Sequence, residues 1–257
     1  MILVVAGTSD ARELALQIKG AGYHLLTSVV TENAAKGMEE AGLPVRYGRL
    51  NEDELVQLIV SGGFKVVIDA SHPFAEEASK NTIAAAFRAN VPYIRYERER
   101  LSYHDHPQLF YVDTYEQAAE MAFIKQGVIM LTTGSKTLKV FTNKLLGLPN
   151  TTLIARMLPR KDNMEKCEEL GLEQKNIVAM QGPFIEELNT ALYKQYKVTL
   201  MITKESGKAG AVDEKVEAAL KLGIETIIIG RPAVDYGNQH SDFSAVLTHI
   251  TQLLEEA

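Results

Sequence analysis

The stretches ILVVA at 2–6, VVIDA at 66–70 and TIIIG at 226–230 are almost continuously apolar, with no polar residue at every second position. A strand of that kind carries apolar side chains on both faces and has to be covered on both faces, as happens in parallel sheets flanked by helices. Similar short runs recur along the chain at 25–31, 44–47, 93–95, 109–113, 128–132, 152–155, 177–180 and 199–203. Between them the period changes. In SDARELALQIKGAG, Ala11, Leu14, Ala15 and Ile18 follow the i, i+3, i+4, i+7 spacing of a helix face, and the Gly20–Gly22 region ends it. Asn51 stands as a capping residue before NEDELVQLI, and Thr114 before the next such pattern. Strands alternating with amphipathic helices predict parallel sheets joined by right-handed crossovers.

The alternation is interrupted once, at YERERLSYHDHPQ (96–108), a polar stretch with two arginines and a proline. It divides the chain into two expected α/β lobes, about 1–100 and 105–257, the second ending in an amphipathic helix over SDFSAVLTHITQLLEE. Both lobes are expected to be Rossmann-like, with a ligand cleft between them; one continuous sheet is the alternative. An internal echo supports two lobes: VVAGTSDAREL and MLTTGSKTLKVF both read strand, glycine, hydroxyl residues, helix.

Composition narrows the function. The net charge of −6 argues against nucleic-acid binding, which needs a basic footprint. A single cysteine, Cys167, excludes a disulfide framework and a Cys-rich zinc site, and no neighbour would stabilise its thiolate. His104 and His106 lie too close together in a loop to define a metal site, and no metal is expected. No basic leader precedes the first apolar run and no stretch approaches a membrane span, so a cytoplasmic protein without membrane contact is expected.

In open α/β sheets ligands bind beyond the carboxyl ends of the strands. In AGTSDAR, Gly7 permits close backbone approach, Thr8 and Ser9 offer hydroxyls, and the helix start offers free N–H groups, a set that suits a phosphate. Ser9 acting only as a helix cap is the plainer reading. TTGSK repeats the design with Thr133, Gly134 and Ser135, and MQGPF is a third turn, where Pro183 suits a first helical position. In DASHPFA, Ser71 can cap the following helix and Pro73 suits its first turn, but His72 is then surplus and reads as a ligand contact beside Gly7. Cations recur after strands: Arg95, Arg98 and Arg100, then Arg156 and Arg160, Lys204 and Lys208, and Arg231. Together they suit a polyanion.

AGTSDAREL, DASHPFA, IRYERE, TTGSK, ARMLP, QGPF and TKESGKAGAVDEKVEAA followed by IIIGRP, in this order, resemble the precorrin-6A reductases of corrin biosynthesis. The resemblance spans nearly the whole chain. It implies NADPH-dependent reduction of one macrocycle double bond in precorrin-6A or its cobalt form, with the cobalt form favoured. It further implies a tetrapyrrole partner whose carboxylates match the cations, and neighbouring corrin-pathway enzymes as further partners. On this reading Gly7, Thr8, Ser9, Arg12, Ser71, His72, Thr133, Gly134 and Ser135 contact the cofactor. Arg98, Arg156, Lys204 and Ser206 contact the substrate, and His72 and Lys204 are the candidate proton donors. Glu32, after the second strand, stands where an acid binds the ribose of NADH; Lys36 and Arg12 are near enough in sequence to offset it. Two rivals remain. Tyr193 and Lys197 have the Tyr-x-x-x-Lys spacing of another class of NAD(P)-dependent reductase, and a two-lobed anion-binding protein without catalysis would share the fold.

Overall fold

Strand β1 (Ile2–Ala6) is the centre of the first sheet, flanked by β2 (Leu25–Val29) on one side and β4 (Val66–Ala70) on the other. The computed structural model describes residues 1–99, 106–205 and 214–255. All five residues of β4 are buried, its apolar ones as a nearly continuous apolar run demands, and Asp69 among them. Outward from β2 lies β3 (Val45–Tyr47), and outward from β4 lie β5 (Tyr93–Tyr96) and β12 (Gln239–His240), giving the order β12-β5-β4-β1-β2-β3 with every pairing parallel. Helices α1 (Ser9–Gly20), α2 (Glu32–Glu40), α3 (Glu52–Ser61) and α4 (Glu76–Arg88) connect successive strands.

The helix ends follow from local chemistry. Asn51 and Glu54 form a reciprocal capping box at α3. Gly22, at φ +90°, lies in the turn after α1, where a side chain would be strained. Thr31 was expected at the end of β2, but its hydroxyl accepts the Ala34 N–H and caps α2 instead. Likewise Thr8, not Ser9, caps α1, accepting the Ala11 N–H at 3.3 Å.

The second sheet has the order β6-β11-β10-β7-β8-β9, again all parallel. Its strands are β6 (Leu109–Val112), β7 (Gly127–Leu131), β8 (Thr151–Met157), β9 (Ile177–Ala179), β10 (Leu200–Lys204) and β11 (Glu225–Ile229). Helices α5 (Tyr115–Lys125), α6 (Leu138–Leu145), α7 (Lys161–Glu169), α8 (Glu186–Tyr196) and α9 (Glu214–Lys221) accompany them. β1 and β7 hold equivalent places: the strands that follow each run outward on one side, then the order reverses to the other. The echo between the sequences around Gly7 and Gly134 is therefore positional, since both turns leave the strand at which the order reverses.

One expectation is corrected. The terminal helix α10 (Phe243–Glu255) was assigned to the second lobe, 105–257; instead Met1–Glu99 and Pro232–Ala257 form one compact unit and Arg100–Arg231 the other. The reason is apolar burial. Val246 and Ile250 are fully buried in the cluster that holds Leu14, Ile18, Ile68 and Ile94. The two-residue strand β12, which precedes the helix, pairs with β5, and the Tyr23 hydroxyl meets that of Thr251 at 2.8 Å. No helix among the described residues is long and apolar enough to cross a membrane.

Removing the Ile250 side chain tests this assignment. Ile250→Ala should lower stability by about 2–5 kcal/mol in urea unfolding. Amide exchange should accelerate in β1 and stay unchanged in β10; faster exchange confined to β10 would contradict the assignment.

Candidate active site

In the first unit the reversal point lies between β1 and β4, and the turns leaving these two strands meet there. A Cβ placed on Gly7 would stand 3.5 Å from the His72 nitrogen and 3.9 Å from the Ser71 Cα. Gly7 and Ser9 are exposed and Thr8 is half-buried, so the turn presents its backbone outward at the start of α1. Helix starts carry unpaired N–H groups and a positive dipole end, and an anion with a bulky backbone-hugging group fits such a turn. A dinucleotide pyrophosphate is a group of this kind, and β3-β2-β1-β4-β5 is the strand order that binds one.

The turn after β4 is built differently from expectation. Ser71 does not cap α4, and Pro73 is not in its first turn: the helix begins at Glu76, behind Ala75, without a side-chain cap. Ser71 turns inward instead. Its N–H donates to Asp69 Oδ1 at 2.9 Å, and its hydroxyl, 7% exposed as a residue, meets the Ser79 hydroxyl at 3.2 Å. The surplus polar residue, His72, is exposed, and its Nδ1 accepts the Phe74 N–H at 3.1 Å. An accepting Nδ1 requires the neutral tautomer with hydrogen on Nε2.

Arg95 holds this turn. Its guanidinium, 0% exposed, lies 3.0 Å from Asp69 Oδ1 and donates to the Ser71 carbonyl at 3.1 Å and the Ser71 hydroxyl at 3.3 Å. On its other side it donates to Glu97 at 2.7 Å, and it stacks 4.8 Å from the centre of the Tyr236 ring. The Tyr93 hydroxyl donates to the second Asp69 oxygen at 2.9 Å, and burial first, then the Asp69 charge, pushes its pKa up. Arg95 is thus an interior scaffold and not one of the outward cations the sequence suggested. Arg98 is also engaged: it is half-buried and lies 3.3 Å from Asp10 in the first turn of α1.

In the second unit the reversal point lies between β7 and β10, and the two turns there carry TTGSK and Lys204. Thr133 is buried, Gly134 adopts φ +80°, and the Ser135 hydroxyl donates to Asn163 at 2.5 Å. The positive φ explains the glycine: a side chain there would be strained. Lys204, at the end of β10, is half-buried with its ammonium 5.6 Å from the centre of the Tyr115 ring. Its pKa is lowered to about 8, chiefly by desolvation and then by the charges of Lys136 and Lys215. Arg156 is buried rather than presented at a strand end. It donates to Asn189 at 2.6 Å and lies 4.4 Å over the Phe184 ring. Asn189 in turn donates to the carbonyls of Phe184 and Ile185, so QGPF stays outside α8 and Pro183 is not a first helical residue. Arg231 is buried beside Glu205, whose carboxylate accepts its backbone N–H at 3.3 Å.

Gly7, Thr8, Ser9, Arg12, Ser71, His72 and Arg98 therefore belong to the first unit, and Thr133, Gly134, Ser135, Arg156 and Lys204 to the second. Ser206, Arg100, His104 and Lys208 lie outside the described residues. Tyr193, a candidate of the rival reading, is buried and donates to the Lys215 carbonyl at 3.0 Å, which removes it from chemistry at a surface. Sequence reasoning missed Asp69, Tyr93, Glu97 and Tyr236; an acid inside the run VVIDA and an arginine inside YIRY were the available signals.

The chain matches the family model described as Precorrin-6x reductase CbiJ/CobK over residues 1–251. It is 58% identical over 247 residues to a cobalt-precorrin-6A reductase of Priestia megaterium, covering 96% of both chains. To the cobalt-precorrin-6A reductase of Salmonella typhimurium it is 40% identical over 232 residues, covering 90% of this chain and 87% of the other. A solved structure described as CobK precorrin-6A reductase superposes with a TM-score of 0.79 at 26% identity, covering 98% of this chain and 96% of that one.

The buried network makes a quantitative expectation. Arg95→Met leaves Asp69 and Glu97 without their buried counter-charge and should cost about 3–5 kcal/mol in denaturant unfolding. Combined with Asp69→Asn it should cost clearly less than the two changes summed. Simple additivity would mean that the two groups do not act as a pair.

Proposed function

The chain belongs to the precorrin-6x reductase family, and from that membership we propose that it reduces one carbon–carbon double bond of the precorrin-6A macrocycle in corrin biosynthesis, using NADPH and preferring the cobalt-bound form. The observation that carries the reading is the meeting of the Gly7 and His72 turns at the reversal point of a β3-β2-β1-β4-β5 sheet, in a chain 58% identical to a reductase of that name. The cobalt preference rests on the names of the two relatives, both cobalt-precorrin-6A reductases.

When bound, a reduced nicotinamide supplies two electrons and one hydrogen as hydride, and the reduction is completed by a proton from elsewhere. The protein's part is positioning and charge. Gly7, Thr8 and Ser9 hold the pyrophosphate at the start of α1. The interior bonds of Ser71 fix the turn from which His72 presents its imidazole, with the ring in the neutral tautomer that donates from Nε2. Thr133, Gly134 and Ser135 form a backbone-lined turn in the second unit, suited to an anionic group of either ligand. Lys204 serves the tetrapyrrole: its ammonium attracts a carboxylate, and with a pKa of about 8 it can also give up a proton near neutral pH. Arg98 and Arg156 act through other groups, Arg98 by holding Asp10 and Arg156 by holding Phe184.

Purified precorrin-6A and cobalt-precorrin-6A, assayed side by side with NADPH, test the substrate. Faster turnover of the cobalt form is expected; turnover of neither would overturn the proposal. The pH dependence tests Lys204. Its lowered pKa means that it is charged below about pH 8 and neutral above, so kcat/KM should fall as pH rises through about 8. Lys204→Met should abolish that limb and raise KM for the tetrapyrrole about tenfold or more. An unchanged limb in the variant assigns it to another group.

A further inference from the structure

Resting on the nicotinamide reading above, we propose that Arg12, seated over Gly37 of α2, recognises the 2′-phosphate and so selects NADPH over NADH. The sequence raised an objection to that selection in Glu32, and the structure answers it. In a dinucleotide-binding sheet the acid that binds an unphosphorylated ribose stands at the carboxyl end of the second strand. Here β2 ends at Val29, and the next two positions hold Val30, exposed and apolar, and Thr31, which caps α2. Glu32 lies one residue further on, as the first residue of α2. It is 3.5 Å from Lys36 one turn along the helix, and both side chains are largely exposed. An acid in a first helical turn, facing the positive end of the dipole and paired i to i+4, has a sufficient local reason to be there. The two positions directly after β2 thus hold no carboxylate, and Glu32, the next residue, is paired with Lys36.

A cation stands near that place. Arg12 is exposed on the first turns of α1, and among the described residues no carboxylate lies within ion-pair distance of it. Its Nη1 lies 3.5 Å from where a Cβ of Gly37 would be. That is an ordinary contact distance, so a methyl group would fit at 37, whereas a leucine side chain there would compete with the guanidinium for the space beside α2. A second positive charge is fixed nearby in the sheet. Arg46 of β3 donates to Ser28 of β2 at 2.9 Å, and to the carbonyls of Gly48 at 3.0 Å and Tyr47 at 2.8 Å. The carboxyl ends of β2 and β3 thus carry positive charge, with Arg12 exposed beside them and, among the described residues, in no ion pair. A guanidinium binds phosphate through paired N–H groups, which gives the preference its strength.

Titrating NADPH and NADH by nucleotide fluorescence into the wild-type protein, Arg12→Gln, Gly37→Leu and Glu32→Gln tests this without turnover. Arg12→Gln should weaken NADPH at least about tenfold and NADH less than about twofold. Gly37→Leu should do the same, with Arg12 intact but displaced. Glu32→Gln should leave both affinities unchanged. Equal loss of the two nucleotides in Arg12→Gln, or no loss, overturns the role of Arg12 while the nicotinamide reading stands, as does a wild-type protein that binds both equally. Loss of NADH alone in Glu32→Gln would restore the ribose-binding acid and overturn the proposal. A wild-type protein that binds neither nucleotide sinks both readings. Melting temperatures of the variants identify any change that acts through folding.

Discussion

The first unit is organised around one buried guanidinium. Arg95 reaches the end of β4 through Asp69 and Ser71, its own strand through Glu97, and the returning segment through Tyr236. Its backbone is engaged as well, donating to the Asn238 carbonyl at 2.8 Å. Taking an arginine and two carboxylates out of water costs several kcal/mol per ion, and their attraction repays this only if the geometry is close. What the network contributes is therefore chiefly definition. With Asp69 accepting from Tyr93, from the Ser71 N–H and from Arg95, the turn after β4 has few other arrangements, and His72 leaves it in one direction. The exposed imidazole of His72 thus rises from a base held by buried groups.

The second unit achieves rigidity with less charge. Arg156 is covered by an aromatic ring and an amide, and Arg231 by the carboxylate of Glu205. Cations that looked interchangeable in sequence have thus separated into two kinds. The buried ones are held by groups of the protein itself, and Lys204, half-buried near Lys136 and Lys215, has its pKa lowered chiefly by desolvation. Burial and partner, not residue type, decide which is which.

Much of the architecture was legible because continuous apolar runs have few alternatives: β1 and β4 fall where ILVVA and VVIDA stand, and the capping roles of Asn51 and Thr114 hold. Strand β12 was not legible, since two polar residues, Gln239 and His240, carry no pattern and pair only because β5 offers them an edge. The terminal helix was visible as a helix, but which core it joins depends on surfaces far away in sequence. The candidate site was half legible. Gly7, Thr8 and His72 stand out as candidates because their turns break strong patterns. The inward roles of Ser71 and Arg156 could not, because a polar residue at a strand end looks the same whether its partner is a ligand or the protein itself.

The return of residues 232–257 to the first unit has a consequence for biosynthesis of the polypeptide itself. A ribosome delivers β1 to β5 early, then has to make all of Arg100–Arg231 before β12 and α10 emerge. At roughly 5–20 residues per second, that interval is on the order of ten seconds. Throughout it, the edge of β5 that pairs with β12 and the apolar surface that Val246 and Ile250 cover are still without those partners. The unit whose strands are made earlier is thus the one completed later.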